Sequence, residues 1–273
     1  MAESKARGRV LIVAGSDSSG GAGIQADIKA VTALGGYAMT AITALTAQNT
    51  LGVTGIFPID PAFIRQQMAA CLSDIGADAI KTGMLHSVEV IEAVAEELDA
   101  RAADLPLIAD PVMIAQSGAT LLEDPAVEAV RRLLVPRATL LTPNTPEAAR
   151  LTGLEVEDLA GQRRAAERLV ELGAKAVLVK GGHLGSSPLI DVLQTESACL
   201  ELANARVDTE ETHGTGCTLA SAIAAGVAQG LDLEMAVRRA QAYLHAALET
   251  APGFGQGAGP VNHGHTIRRF SGI

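Results

Sequence analysis

The feature that most constrains this chain is a series of short, unbroken apolar runs separated by helix-length amphipathic stretches. Residues 9–14 (RVLIVA) place apolar side chains at successive positions, the pattern of a strand covered on both faces. A strand with one face in water would alternate apolar and polar residues. The run ends in a small-residue turn, Gly15-Ser16-Asp17-Ser18-Ser19-Gly20-Gly21-Ala22-Gly23, and a helix is expected over about 24–34, with Ile24, Ile28 and Val31 on one face. The unit then repeats. Residues 38–45 read as a strand ended by 46–50, and 52–59 as another, stopped by Pro58 and Pro61. Pro61 is well placed to open a helix to about Asp74, because proline is at home at the first helical position. Strands are expected at 77–83, 105–109, 139–142 and 176–180, with helices at 88–102, 126–134, after Pro143, at 159–172 and at 233–249. Residues 190–194 and 200–207 alternate like an antiparallel pair.

Alternation of this kind implies an α/β fold of three layers, a mostly parallel central sheet with helices on both faces. No compositional break or fixed-period repeat divides the chain, so 1–273 reads as a single domain, with 1–8 expected to be flexible. In such sheets ligands bind beyond the carboxyl ends of the strands. Gly15, Gln48, Asp110, Asn144, Lys180 and the loop at Gly214 all fall at such ends and are expected to converge.

The net charge of −10 argues against a nucleic-acid backbone as partner, and with no Trp, two Tyr and four Phe, stacking platforms are scarce. No apolar run is long enough for a membrane span, and the polar N-terminus lacks a signal-peptide core. Cys71, Cys199 and Cys217 are too widely spaced for a disulfide framework or a zinc site, which fits a reducing cytoplasm. Any anionic ligand must therefore be a small molecule held in a local pocket. Cys71 and Cys199 read as buried packing residues, and His263 and His265 as solvated side chains of a Gly/Pro-rich tail.

The stretch Thr212-His213-Gly214-Thr215-Gly216-Cys217 opens into an Ala-rich helix former. Helix N-termini present unpaired N–H groups and the positive end of the macrodipole, and glycines let that backbone approach an anion closely. Cys217, in the first turn, is placed where the dipole favours a thiolate. The local chemistry also permits a plain loop leading into a core helix with a buried cysteine. Likewise, Asp27 in the first turn of its helix has a simple role in complementing the dipole.

Residues 15–27, Thr43-Ala44-Leu45-Thr46-Ala47-Gln48-Asn49-Thr50, Lys81-Thr82-Gly83-Met84-Leu85, Asp110-Pro111-Val112-Met113, Thr142-Pro143-Asn144-Thr145-Pro146-Glu147-Ala148, Lys180-Gly181-Gly182-His183 and 212–218 together form an ordered set of motifs. That set resembles the hydroxymethylpyrimidine/phosphomethylpyrimidine kinases of thiamin biosynthesis, a family of ribokinase-like fold. The resemblance implies an ATP- and magnesium-dependent homodimer that phosphorylates 4-amino-5-hydroxymethyl-2-methylpyrimidine and then its monophosphate. It implies that Gly15, Asp27, Gln48, Met84 and Val112 line the pyrimidine pocket. It implies that Lys180 neutralises the transferring phosphate and that Asp110, Asn144 and Glu147 hold magnesium directly or through water. Asn144, Lys180, Thr212, Gly214, Thr215 and Gly216 would bind ATP phosphates, with Gly214 and Gly216 in the anion hole and Cys217 in the place of the base. The chain departs from the family pattern at Gln116, at Glu210-Glu211 and in a short loop over 184–189. A pyridoxal or pyridoxine kinase of the same fold is the alternative. A dinucleotide-dependent oxidoreductase stands further off, because the glycine loop lacks the G-x-G-x-x-G spacing and the next strand ends in Thr and Gln.

Overall fold

Alternate residues of β1 (Arg9–Asp17) face two separate cores, which is why its apolar run is unbroken. Leu11 and Val13 pack on one side of the sheet, Val10, Ile12 and Ala14 on the other. The computed structural model describes residues 8–114, 118, 121–185 and 188–267; Gln116, residues 1–7 and part of the 184–189 loop lie outside them.

The described strands form one sheet in the order β3-β2-β1-β4-β5-β6-β7-β8-β9. They are β2 (Tyr37–Asn49), β3 (Gly52–Pro58), β4 (Ala79–Thr82), β5 (Leu107–Ala109), β6 (Leu140–Leu141), β7 (Ala176–Val179), β8 (Leu189–Thr195) and β9 (Cys199–Asn204). From β2 to β7 every pairing is parallel. Antiparallel pairing adds β3 at one edge and β8 and β9 at the other. Helices α1 (Gly23–Ala33), α7 (Thr215–Ala228) and α8 (Leu233–Glu249) cover the face of Val10 and Ile12. Helices α2 (Pro61–Asp74), α3 (Val88–Arg101), α4 (Asp124–Ala129), α5 (Thr145–Thr152) and α6 (Leu159–Glu171) cover the other. Three layers around two apolar seams result, as the strand and helix alternation implies.

β1 runs past Ala14 to Asp17 and β9 stops at Asn204, and two other elements differ more from the sequence reading. β2 runs on to Asn49, because Gln48 and Asn49 pair with Val53 and Gly52 of β3 rather than ending the strand. The helix expected over 126–134 is α4 followed by a π-helical turn (Val130–Leu134) and a 3₁₀ turn (Val135–Arg137). Pro136 lacks the N–H that a continuing α-helix would need.

The position of the site follows from the topology. β2 and β4 flank β1, so the chain reverses its direction of travel across the sheet there and leaves a crevice at the carboxyl ends. Within that crevice the β1–β2 register slips at Gly15: Ala14 pairs with Ile42, then Ser16 with Leu45.

Candidate active site

A cavity of about 740 Å³ occupies the crevice and extends toward β8 and α8. Its wall includes Gly15, Gln48, Met84, Asp110, Val112, Asn144, Glu147, Lys180, Thr212, Gly214, Thr215, Gly216 and Cys217. The sequence-predicted residues thus meet at one place, with one exception, Asp27.

On one side lie Gly15, Met84, Val112 and Gln48. A Cβ on Gly15 would stand 2.5 Å from the Met84 methyl carbon, so any side chain there would drive Met84 from its place on the cavity wall. The Gln48 backbone N–H donates to Ser18 Oγ at 2.9 Å, which fixes the strand end against the glycine turn. Its side-chain oxygen accepts from Thr46 Oγ1 at 3.1 Å.

The start of α7 forms another part of the wall. Gly214 caps the helix with φ of 81°, a left-handed conformation that glycine adopts without strain. Gly216 lies against the ammonium: a Cβ there would meet Lys180 Nζ at 3.4 Å, an ordinary contact. Lys180 leaves the end of β7 and holds Asp110 Oδ1 at 3.2 Å, while Thr142 Oγ1 donates to the same oxygen at 3.1 Å. Burial opposes the Lys180 charge, but Asp110 and Glu147 outweigh it and keep the ammonium protonated. Asp191, not foreseen from sequence, accepts from the Gly181 N–H and from Gln241 Nε2, both at 2.8 Å, and so anchors the backbone next to Lys180.

Asp27 does not line the cavity, which corrects its place in the pyrimidine pocket. It is fully buried on α1, where both its oxygens lie 2.9 Å from Lys81 Nζ and Ser221 Oγ donates to Oδ1 at 2.6 Å. Lys81 is fully buried too. Burial disfavours its charge, yet Asp27, Cys217 and Asp110 hold it well above the ordinary lysine range. Lys81 stands in a motif, but its partner is 54 positions away, so sequence alone could not supply the pair.

Cys217 corrects a second expectation. It lies in the first turn of α7, and the Gly23 N–H at the start of α1 donates to its sulfur. The thiol is nevertheless pushed up to about 12: burial is the main cause, the Asp27 and Asp110 carboxylates add to it, and Lys81 and Gly23 only partly oppose them. The helix terminus alone favoured a thiolate; the low-dielectric surroundings and two carboxylates win.

Asn144 and Glu147 form a reciprocal capping box on α5. Asn144 Oδ1 accepts from the Glu147 N–H, and Glu147 Oε2 accepts from the Asn144 N–H, each at 2.8 Å. These oxygens are engaged in capping, so they do not both point freely at one ligand. Glu147 is pushed up to about 7, mainly by burial, with Lys180 lowering and Asp110 raising it. No group of three or more His, Cys, Asp or Glu among the described residues forms a metal cage. Asp110 and Glu147 still fit magnesium, which is commonly held by one or two carboxylates together with substrate phosphates.

Outside the site, Cys199 is exposed and Cys71 half-buried, so neither is the fully buried packing residue expected. His263 is buried, with Nε2 2.9 Å from Thr218 Oγ1, rather than solvated in the tail.

The family model described as phosphomethylpyrimidine kinase matches residues 17–262. The chain belongs to the phosphomethylpyrimidine kinase family. Among its relatives, a hydroxymethylpyrimidine/phosphomethylpyrimidine kinase of Bacillus subtilis is 45% identical over 93% of this chain and 94% of its own. A thiamine biosynthesis bifunctional protein, ThiED, of Geobacter sulfurreducens is 51% identical over 94% of this chain, which spans about half (52%) of that longer protein. Among solved structures, a Bacillus subtilis pyridoxal kinase in complex with ADP superposes with a TM-score of 0.88 at 36% identity, covering 94% of this chain and 98% of that one. The shared fold therefore extends to both ring kinases, while the family match and the higher identities favour the pyrimidine kinases. A phosphomethylpyrimidine kinase is a phosphotransferase, and membership of a kinase family implies ATP as the phosphoryl donor.

Proposed function

We propose that this protein phosphorylates 4-amino-5-hydroxymethyl-2-methylpyrimidine and then its monophosphate to the diphosphate, as a step in thiamin biosynthesis. One observation carries the reading: Gly15, Met84, Val112 and Gln48 line the same cavity as the Gly214–Cys217 turn and Lys180. The amide of Gln48 can pair with an aminopyrimidine edge, which offers both a donor and acceptors. Gly15 leaves the space that lets Met84 sit on the cavity wall. At the other side the backbone N–H groups of Gly214, Thr215 and Gly216, with Thr212, Asn144 and Lys180, receive the phosphates of ATP. Preorganised donors of this type stabilise the charge that spreads over the transferring group. Cys217, as its thiolate, takes the alcohol proton as the new O–P bond forms and the bond from the transferring phosphorus to ADP breaks. Burial raises the Cys217 thiol, so its proton must first pass to solvent in the cavity, a loss favoured by Lys81 and by the Gly23 amide.

Asp110 and Glu147, with Asn144, would hold magnesium, which supplies charge neutralisation between the phosphate oxygens. The chain acts as one kinase domain, in the cytoplasm, as a homodimer; no described helix is long and apolar enough to cross a membrane. The test is a coupled nucleotidase-free assay with the pyrimidine alcohol, its monophosphate and pyridoxal as acceptors, read by mass spectrometry. Mono- and then diphosphate of the pyrimidine are expected. Phosphorylation of pyridoxal alone would replace this reading with that of a pyridoxal kinase.

A further inference from the structure

Asp17 and His213 have no role in the chemistry above, yet both are buried beside it, 2% and 5% exposed. The Asp17 carboxylate is the internal scaffold of the β1–α1 turn. It accepts from the backbone N–H groups of Ser19 at 2.8 Å, Gly21 at 3.1 Å and Ala22 at 2.7 Å, and from Ser19 Oγ at 2.8 Å. Its remaining partner comes from the other end of the chain: His213 Nε2 lies 2.8 Å from Asp17 Oδ2. Burial works against the Asp17 charge, but the hydrogen bonds of His213, Ser19 and Ala22 hold it well below the usual carboxylate range.

His213 is the residue immediately before Gly214. Its backbone N–H donates to Gly259 O at 3.0 Å, so it is pinned on both sides. The two turns also touch backbone to backbone. A Cβ on Gly214 would stand 1.9 Å from Gly21 O, and a Cβ on Gly21 would stand 2.3 Å from His213 Cδ2. The β1–α1 turn carries the acceptor side of the cavity, with Gly15 at its start and Ser18 bound to the Gln48 backbone. The turn before α7 carries the phosphate side. A hydrogen bond between Asp17 and His213 therefore spans the two halves that must meet for transfer.

We propose that Asp17 and His213 are a positioning pair, which holds the Gly214–Cys217 anion turn in register with the β1–α1 turn so that acceptor oxygen and transferring phosphorus are aligned. The inference rests on the kinase reading above. The energetic lever is geometric: a misplacement of about 1 Å at a reacting centre lowers a rate by about 10²-fold.

The test uses His213→Asn, Asp17→Asn and the double variant, each checked for folding by circular dichroism. In each single variant kcat falls by roughly 10- to 100-fold, and in His213→Asn, which leaves the internal bonds of the β1–α1 turn intact, the pyrimidine Kd measured without nucleotide stays within about twofold. The double variant is no slower than the slower single one, as expected for groups that act as a unit. Independently of any substrate, amide hydrogen exchange over 214–217 speeds up about tenfold or more in His213→Asn, while exchange over α8 is unchanged. Folded variants with kcat within about threefold of the parent, or losses that multiply in the double variant, overturn the proposal. If the parent enzyme phosphorylates neither ring, the functional reading fails, and the exchange measurement alone decides whether the pair fixes the turn; unchanged exchange overturns it.

Discussion

Alkylation of Cys217 gives a sharp test of the electrostatics of the site. Its thiol is pushed up to about 12 from an ordinary value of 9.0. At pH 8 about one ordinary thiol in ten is ionised, but a thiol with a pKa of about 12 is ionised only about once in 10⁴, a deficit of about 10³. A more basic thiolate is also a better nucleophile, with a Brønsted slope of about 0.4–0.5, which restores roughly 15- to 30-fold. The net expectation is that Cys217 in the ligand-free protein reacts with iodoacetamide roughly 30- to 60-fold more slowly than an ordinary thiol such as glutathione, before any steric effect. The assay is peptide mass spectrometry of the 217-containing fragment over time, with Cys71 and Cys199 resolved as separate peptides. The rate rises about tenfold per pH unit from 7 to 10 without a plateau. A plateau near pH 8, or a rate at pH 8 equal to that of glutathione, would show that the helix N-terminus and Lys81 prevail over burial, and the account of this thiol would be wrong. Cys217→Ala is expected to lower kcat by about 10²–10⁴-fold, the range for a lost general base.

Two further predictions concern the buried charges. Lys81→Met leaves Asp27 buried without its ion partner and should lower the unfolding free energy by about 3–5 kcal/mol, most of it recovered in Lys81→Met with Asp27→Leu; urea midpoints decide, and an equal loss in single and double variants refutes the pairing argument. Glu147 has a folded-state value raised to about 7 from 4.5, so its contribution to stability is fully present below about pH 4.5 and is lost as pH rises through about 7. Glu147→Gln can keep both capping hydrogen bonds while removing that titration, so the variant should gain stability relative to the parent between pH 5 and 8 and need more magnesium for half-maximal rate; urea midpoints across that range that track the parent would refute the assignment.

Much of this arrangement was legible in the sequence because period and position carry it. An unbroken apolar run such as 9–14 already states that both faces of β1 are covered, and turn residues at strand ends state where chemistry collects. What remained hidden depends on contacts between distant positions. Asp27 reads equally well as a dipole-complementing residue or a pocket residue until Lys81 and Ser221 are placed around it. The helix N-terminus at Cys217 is a local signal legible in the sequence, but the thiol responds to burial and to Asp110 and Asp27, which arrive from other strands and helices. Asn144 and Glu147 show the converse case. Their spacing marks both a capping box and a pair of oxygen ligands, and the structure uses it at least for the first.

The disposition of Lys81 and Lys180 bears on how an acidic chain can accept a polyphosphate. Lys81 is enclosed and paired with Asp27, so its charge is answered inside the protein and is felt chiefly by the sulfur above it. Lys180 keeps 15% of its side chain exposed and meets Asp110 at the longer distance of 3.2 Å, so its field reaches the cavity. Against it stand Asp110 and Glu147 on the same wall. One ammonium and the N–H groups of the α7 turn then face Asp110, a Glu147 that burial pushes up to about 7, and the charge of the incoming nucleotide. That balance repels a bare polyphosphate and favours one that arrives with a divalent cation, because the cation turns both carboxylates from repulsive to attractive partners. On this argument the proposed magnesium requirement follows from the charge count of the wall, even though the chain builds no cage of its own among the described residues.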